Sequence, residues 1–491
     1  MNKIKKILSV LLVASMVIIS TSCGESKEVK KKSELDPKDP VTVTVWNYYN
    51  GNQLTAFEKL IDKFNSTVGM EKGIIVVSES QGDIDTLANS LIDSVEGKAG
   101  ANECPTLASV YSETAYILDN KKVLVKMDQY FTDEELEKII PGFLEEGRFN
   151  KNKDLLLFPI LKSTEIFAVN ETDWADFAKD TRIELKSIKT KEDLTKAAEA
   201  YYKWTDDKTP DVKEDGKALY GRDSIANYIY LGSYQMGHDM FREVDGKVEV
   251  DMDRDVFKKL WDNYYIPYIN GYFLSDANFR SEDAKTGKLQ AITSSSSRMG
   301  YLSNEVTLDD DSTHKIDIYE TKELPFKDAK KDAVVQQGAS YCMLKTTPAQ
   351  QEGAAEFLRW FSSPEQNMDF AVESGYSPVT FEANNEKAIT DSYKGDLSTA
   401  SGKNVLNSLI ISADSFIKCD AYSARPFNGS KEIRAYLGEA LDKKAKDDRK
   451  DVIKKISNGM SRQDAVSGYS TEEYFNEWFD EIKTEVNKLI K

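Results

Sequence analysis

The chain has 491 residues, 40% of them hydrophobic and 30% charged, and its 83 acidic side chains outnumber 65 basic ones for a formal net charge of −18. That balance excludes a nucleic-acid partner, because a phosphate backbone needs a clustered basic surface and the one such cluster is Lys30-Lys31-Lys32. Cysteine and histidine usage excludes a disulfide framework and a zinc site: beyond Cys23 there are only Cys104, Cys342 and Cys419, odd in number and far apart, so at most one bridge can form, and His238 and His314 sit in no ligand motif.

Lys3, Lys5 and Lys6 precede an apolar run from Ile7 to Ile19, followed by Ser20-Thr21-Ser22-Cys23-Gly24. The run is about 13 residues, short of the ~20 that a membrane helix needs, so residues 1–22 are expected to be a cleaved signal peptide. Small residues before Cys23 follow the pattern of a bacterial lipobox, with Ser20 where leucine is usual. Cys23 is then the expected lipidation site, and the mature protein would sit at the cell membrane, lipid-anchored on the extracellular face. Plain secretion is the other reading. Loss of the leader deepens the net charge to about −21, which suits solubility in an exposed setting. Residues 23–40 mix Glu and Lys, end in Asp36-Pro37-Lys38-Asp39-Pro40, and read as a flexible tether.

Folding begins at Val41. Val41 to Trp46 alternates as a strand, and Leu54, Phe57, Leu60, Ile61 and Phe64 then recur at helical spacing. Gly73 to Ser78 is a second strand, Leu87 to Val95 a helical stretch, and Pro105 to Val110 a third strand. This β-α-β-α-β series predicts a parallel sheet with helices on both faces. Ligands of such sheets lie beyond the carboxyl ends of the strands. Those ends carry Trp46, Tyr48 and Tyr49, then Glu79, then Tyr111, Ser112 and Glu113. Neither a G-x-G-x-x-G nor a G-x-x-x-x-G-K-[ST] follows these strands, which disfavours a nucleotide cofactor, and no cofactor is expected.

Leu155 to Asn170 is an extended run in which Pro159 excludes a helix. Helices are expected over Lys191 to Trp204, Ser224 to Gly232 and Val256 to Tyr265, and a strand over Leu289 to Thr293. Four serines, Ser294 to Ser297, then lead into Arg298-Met299-Gly300-Tyr301. A hydroxyl cluster at a helix start offers donors to a polar ligand; a flexible serine linker is the plainer reading.

From Gln336 the chain reads Gln-Gln-Gly-Ala-Ser-Tyr-Cys-Met-Leu-Lys, then Ala349 to Phe361 as Ala-Gln-Gln-Glu-Gly-Ala-Ala-Glu-Phe-Leu-Arg-Trp-Phe, then Ser-Ser-Pro-Glu-Gln-Asn, and finally Glu373-Ser-Gly-Tyr-Ser-Pro-Val379. In that order these blocks resemble the extracellular solute-binding proteins of bacterial ABC importers, in the group with sugar- and glycerol-phosphate-binding members. Thr42 to Phe64, Phe158 to Asn170 and Gly287 to Met299 agree with it, so the resemblance spans Val41 to Leu441. Ser363-Pro364 also has a local explanation, an N-cap followed by proline at the first helical position.

The resemblance implies an α/β, two-lobe periplasmic-binding-protein-like fold, each lobe a mainly parallel sheet flanked by helices and joined by hinge strands. Three crossings are expected near Lys162, Leu289 and Tyr341, giving one lobe from 41–161 and 290–340 and another from 162–289 and 341–491. It implies ligand contacts from Trp46, Tyr48, Tyr49, Glu79, Ser112 and Glu113. Ser163 lies on the first crossing, Ser295, Ser296 and Arg298 follow the second, and Gly338 precedes the third. Tyr376 lies in the Gly-Tyr-Ser-Pro loop and Arg425 in Tyr422-Ser-Ala-Arg-Pro426, where a guanidinium offers bidentate donors to an acidic or hydroxyl-rich solute. The implied function is a monomeric receptor that captures a carbohydrate or related polyol and delivers it to an ABC transporter permease, without catalysis or metal. A surface glycoside hydrolase using Glu79 and Glu113, and a receptor feeding a sensor protein, are the alternatives.

Overall fold

The computed structural model describes residues 33–212, 214–244 and 247–490. The expected signal peptide, Cys23 and most of the tether lie outside them. Among the described residues no helix is long and apolar enough to cross a membrane. Leu35 to Lys491 form one unit, within which two sheets have separate cores.

The first lobe opens with β1 (Val41–Asn47) and α1 (Gly51–Phe64), followed by β2 (Ile74–Ser80), α2 (Ile84–Val95), β3 (Leu107–Val110) and α3 (Ser112–Asn120). Phe57, Leu60, Ile61 and Phe64 form the buried stripe of α1. β1 pairs in parallel with β2 and with β3, as successive right-handed crossovers require. β2 is a sheet edge, and the Asn65 amide covers part of it, accepting from the Val76 N–H at 2.8 Å and donating to the Val76 carbonyl at 2.9 Å.

The extended run passes Lys162 into β4 (Glu165–Asn170), which begins the second lobe. There follow α4 (Lys191–Asp206), β5 (Tyr220–Arg222), α5 (Ile225–Gln235), α6 (Arg254–Ile269), β6 (Ala291–Ser295) and β7 (Ile318–Lys322). The sheet order is β7-β4-β6-β5. β4 is antiparallel to both neighbours, and only β5 and β6 run together. The expectation of a mainly parallel sheet in each lobe is thus corrected for the second. β4 is fed from the hinge, not by a β-α-β crossover, so nothing forces its neighbours to run with it.

β8 (Ala333–Val335) leads back, and β9 (Ser340–Met343) joins the first sheet antiparallel to β3. α7 (Pro348–Phe361) and α8 (Pro364–Ser374) pack their Phe357, Phe361 and Phe370 onto Phe57 of α1. α9 (Ala400–Lys418) bridges the lobes: its Phe416 meets Phe143 of the first edge-on at 4.8 Å, while its Asn407 donates to Glu320 on β7 at 2.9 Å. β10 (Asp420–Tyr422) then pairs in parallel with β8, and α10 (Ser430–Ser457) and α11 (Glu472–Leu489) complete the second lobe's core against α5 and α6.

The lobe segments expected from sequence therefore change beyond residue 290. Residues 291–322 belong to the second lobe, 340–374 to the first, and only from 430 does the chain return to the second. Leu289 is buried inside the second lobe and is no crossing. The crossings fall at Lys162–Thr164, at Gln336–Gly338 and at Asp420–Ser423. Ser163 and Gln337 exchange backbone hydrogen bonds at 3.0 and 2.8 Å, and the Gln336 N–H donates to the Tyr422 carbonyl at 2.8 Å. Lys162, fully buried, pairs with Glu146 and donates to the Gly338 carbonyl and the Ser340 hydroxyl, each at 3.0 Å.

Candidate functional site

A cavity of about 680 Å³ lies between the lobes, with the crossing strands as its floor. On the first lobe it is walled by Tyr111, Ser112 and Glu113, where β3 turns into α3, together with Asp85 on α2 and Glu146. On the second lobe the wall is Arg222 to Asn227, where β5 turns into α5, together with Tyr230 and a stripe of α10. Lys431, Arg434, Gly438, Asp442 and Lys446 make that stripe; the spacing of three or four keeps them on one helix face. Both walls are thus strand carboxyl ends feeding helix starts, the position where an α/β sheet presents its loops.

The floor is Val335 to Gly338 and Tyr422 to Ala424. Gly338 has φ +99°, and a Cβ there would lie 2.9 Å from the Leu161 carbonyl oxygen. Only glycine lets the first two crossings approach so closely. Beside it, neither atom of the Gln336 side-chain amide has a hydrogen-bond partner among the described residues, although the residue is only 5% exposed.

Arg222 is held from behind by a buried ionic quartet. It donates to Glu165 at 2.7 Å, to Glu323 at 3.0 Å, and through Nε to the Ser224 carbonyl at 3.0 Å. Lys191 pairs with Glu323 at 2.8 Å, and the Asn227 amide donates to Glu165 at 3.0 Å. Burial opposes ionisation of Glu323, but Lys191 and Arg222 overcome it and hold the carboxyl down at about 2. Burial raises Glu165 despite Arg222, and burial lowers Lys191 despite Glu323. Opposite the quartet, Tyr111 exposes 41% of its surface, and burial of its hydroxyl end, with Tyr376 next in weight, pushes its pKa up to about 12. It remains a neutral hydroxyl with a free ring face.

Of the residues expected from sequence, Ser112, Glu113 and Gly338 line this cavity. Trp46 does not: it is 1% exposed, and its indole N–H donates to Glu79 at 2.8 Å, so the two satisfy each other across β1 and β2. Tyr49 is a core residue, edge-on to Phe57 and Phe370. Tyr48 lies 5.3 Å from Tyr49 between ring centres, and burial, then Tyr376, raises its pKa well above the ordinary value. Tyr376 also flanks Gly338. Ser163 accepts from Ser295 at 3.2 Å at the first crossing, and Ser296 exchanges hydrogen bonds with Thr164, donating its N–H at 2.7 Å. Arg298 stacks on Phe279 with its guanidinium 3.4 Å from the ring centre. Arg425 donates twice to the Phe149 carbonyl, at 3.1 and 2.7 Å, and borders a smaller recess of about 240 Å³ on the other side of its strand.

Sequence reasoning missed Arg222, Asn227, Tyr230 and the α10 stripe, and it placed Tyr111 at the end of the third strand without carrying it among the ligand contacts. The three-residue strand that ends in Arg222 is too short to show a period. The run Lys443 to Lys450 in α10 reads as solvated charge, although the 431, 434, 438, 442 spacing was available as a signal. Cys104, Cys342 and Cys419 are free thiols, and the described residues contain no group of three metal-ligating side chains.

A family profile described as bacterial extracellular solute-binding protein matches residues 59–394. Among solved structures, the cyclic α-maltosyl-1,6-maltose binding protein of Arthrobacter globiformis is 16% identical with a TM-score of 0.61, the match covering 90% of this chain and 99% of that one. The GacH receptor of Streptomyces glaucescens, solved unliganded and with acarbose, is 12% identical at 0.61, covering 91% and 98%. UgpB of Mycobacterium tuberculosis, solved with glycerophosphocholine, is 14% identical at 0.61, covering 92% and 100%. At these identities the likeness establishes the fold. No curated protein sequence matches the chain.

Proposed function

The chain belongs to the bacterial extracellular solute-binding proteins, and from that premise we propose that it captures a carbohydrate or related polyol between its lobes and hands it to the permease of an ABC transporter. The carrying observation is the cavity itself: residues from both lobes converge on it, over a floor made by the second and third crossings. A solute that touches both walls favours the closed arrangement by the contacts it makes there and nowhere else. The cavity volume falls within the range that buries a ligand larger than a single small metabolite, and the half-exposed Tyr111 supplies an aromatic surface among hydroxyl, amide and charged groups. Relatives of the same fold that bind oligosaccharides support this solute class.

Ser112, Glu113 and Gly338, with Tyr111 and Asn227, are the proposed contacts. Tyr48 and Tyr376 support them. Anchoring through a lipid on Cys23 follows from the sequence pattern and would keep the receptor beside its permease. The paired-carboxylate alternative loses its geometry, since Glu79 is occupied by Trp46 outside the cavity.

Thermal unfolding and X-ray scattering of the purified protein against a broad sugar and polyol panel test the proposal. One class is expected to raise Tm and shrink the radius of gyration together. A panel without any shift in either would reject it.

A further inference from the structure

Ten ionisable acidic and basic side chains line the cavity: Asp85, Glu113, Glu146, Asp223 and Asp442 against Arg222, Arg280, Lys431, Arg434 and Lys446. Eight of them have ion partners. Asp85 pairs with Lys431 across the cavity mouth at 2.9 Å, Glu146 with Lys162, and Arg222 with Glu165 and Glu323. Arg280 pairs with Asp283 at 2.6 Å and lies 3.7 Å from Asp223, and Lys446 pairs with Asp442 at 2.8 Å. The remaining two are Glu113 and Arg434, which have no ion pair among the described residues.

These two stand on opposite walls. Glu113 opens α3 of the first lobe, and among the described residues the one hydrogen bond to its carboxylate comes from the Ser112 hydroxyl, at 3.5 Å. Arg434 lies on the second turn of α10, donates to the neutral Asn227 amide at 2.5 Å, and lies 5.8 Å from the Tyr230 ring centre. Burial raises the pKa of the Tyr230 hydroxyl, and of the charges near it Arg434 lowers it while Glu113 raises it. Arg434 lies outside residues 59–394, so the pattern shared with the family does not include it.

We infer that Glu113 and Arg434 are the specificity pair of the cavity, and that together they select a hydroxyl-rich solute with no net charge. The inference rests on the receptor reading above and narrows it, since solved relatives of this fold carry both neutral sugars and a phosphodiester. A carboxylate on one wall and a guanidinium on the other balance each other electrostatically, so the solute need bring no charge. Hydroxyls can donate to Glu113 and accept from Arg434 at once, forming charge-assisted bonds to both lobes that exist only when the lobes are closed. An anion would gain Arg434 and face Glu113, and a cation the reverse. The unpartnered Gln336 amide on the floor adds one neutral donor and one neutral acceptor, again matched by hydroxyls.

The test uses the intact mature protein, with ribitol, maltotriose and cycloalternan as neutral probes and sn-glycerol 3-phosphate as the anionic one. Native mass spectrometry of any co-purified solute accompanies it. A neutral compound is expected to bind wild type best. Glu113→Gln and Arg434→Gln should each weaken it about tenfold or more, while Glu113→Gln raises and Arg434→Gln lowers the relative affinity for sn-glycerol 3-phosphate. Unliganded Tm values within a degree or two of wild type would show that both variants fold. Preference of wild type for the phosphate compound, a charged co-purified solute, or variants that leave the neutral-to-anion ratio unchanged would overturn the pair. Absence of any binding and of any co-purified solute would overturn the receptor reading itself.

Discussion

Behind the first wall of the cleft, Tyr49, Phe57, Phe357, Phe361 and Phe370 pack ring against ring, with centroids 5.1 Å apart for Tyr49 and Phe57 and 5.4 Å for Phe361 and Phe370. Behind the second wall, Glu165, Lys191, Arg222 and Glu323 are buried as a neutral ionic quartet. An apolar cluster responds to substitution in proportion to lost volume, whereas an ionic cluster holds together until one member is removed and the rest become unmatched charge in a poor solvent. The first lobe should therefore deform gradually under mutation, and the second should fail abruptly.

Arg222→Met is the sharpest break of that contrast. It leaves two buried glutamates with Lys191 alone, and a loss of about 3–5 kcal/mol is expected in urea unfolding. Glu165→Gln added to Arg222→Met should recover part of it. A loss below about 1 kcal/mol for Arg222→Met would show that the quartet is not the support of the second wall. Gly338→Ala comes next, at about 1–3 kcal/mol, because φ +99° and the Leu161 carbonyl both oppose a Cβ. Since the residue joins two crossings and lines the cavity, solute affinity should fall further than unliganded stability does; equal losses in the two measurements would argue against a hinge role. Phe57→Leu in the first lobe should cost about 1–2 kcal/mol at any pH between 5 and 9, read by the same unfolding curves. A pH-dependent cost there would blur the distinction between the lobes.

What the sequence made legible follows the same division. β1 to β3 and the helices between them were readable because β1 alternates, β2 and β3 are short apolar runs bounded by turn residues, and each helix carries an apolar stripe, signals that local sequence displays directly. The second sheet was not. β5 has only three residues, and the partners of β6 are chosen by tertiary contact with β4, which no local period encodes. The family blocks identified the kind of fold and two of the crossing regions, yet residues 291–322 and 341–374 were assigned to the wrong lobe for that reason. The cavity divides likewise. Ser112 and Glu113 follow a visible strand and were found, while Arg434 is one charge among many on a helix whose buried face shows only in three dimensions. Trp46 misled because an aromatic residue at a strand end has the same appearance whether it faces solute or, as here, gives its N–H to Glu79.

Glu320 provides the finest comparison, since it sits on β7 where the bridging helix α9 crosses the second lobe. It is 6% exposed, Oε2 accepts from Asn407 at 2.9 Å, and Oε1 has no partner among the described residues. Burial raises its pKa from 4.5 to about 8, against a smaller opposing effect of Asn407. The folded protein thus retains a proton that the unfolded chain releases near 4.5. This contribution to stability is present in full below that value, declines as pH rises, and is gone above about 8. Glu320→Gln, which fixes the neutral form, should leave stability nearly unchanged at pH 4. At pH 8 it should raise stability by on the order of 1 kcal/mol, a modest gain because the new amide donors also lack partners. Superimposable pH profiles of the urea midpoint for the two proteins would mean that α9 does not seal this carboxyl. In that case the abrupt behaviour of the second lobe would be confined to the quartet behind Arg222.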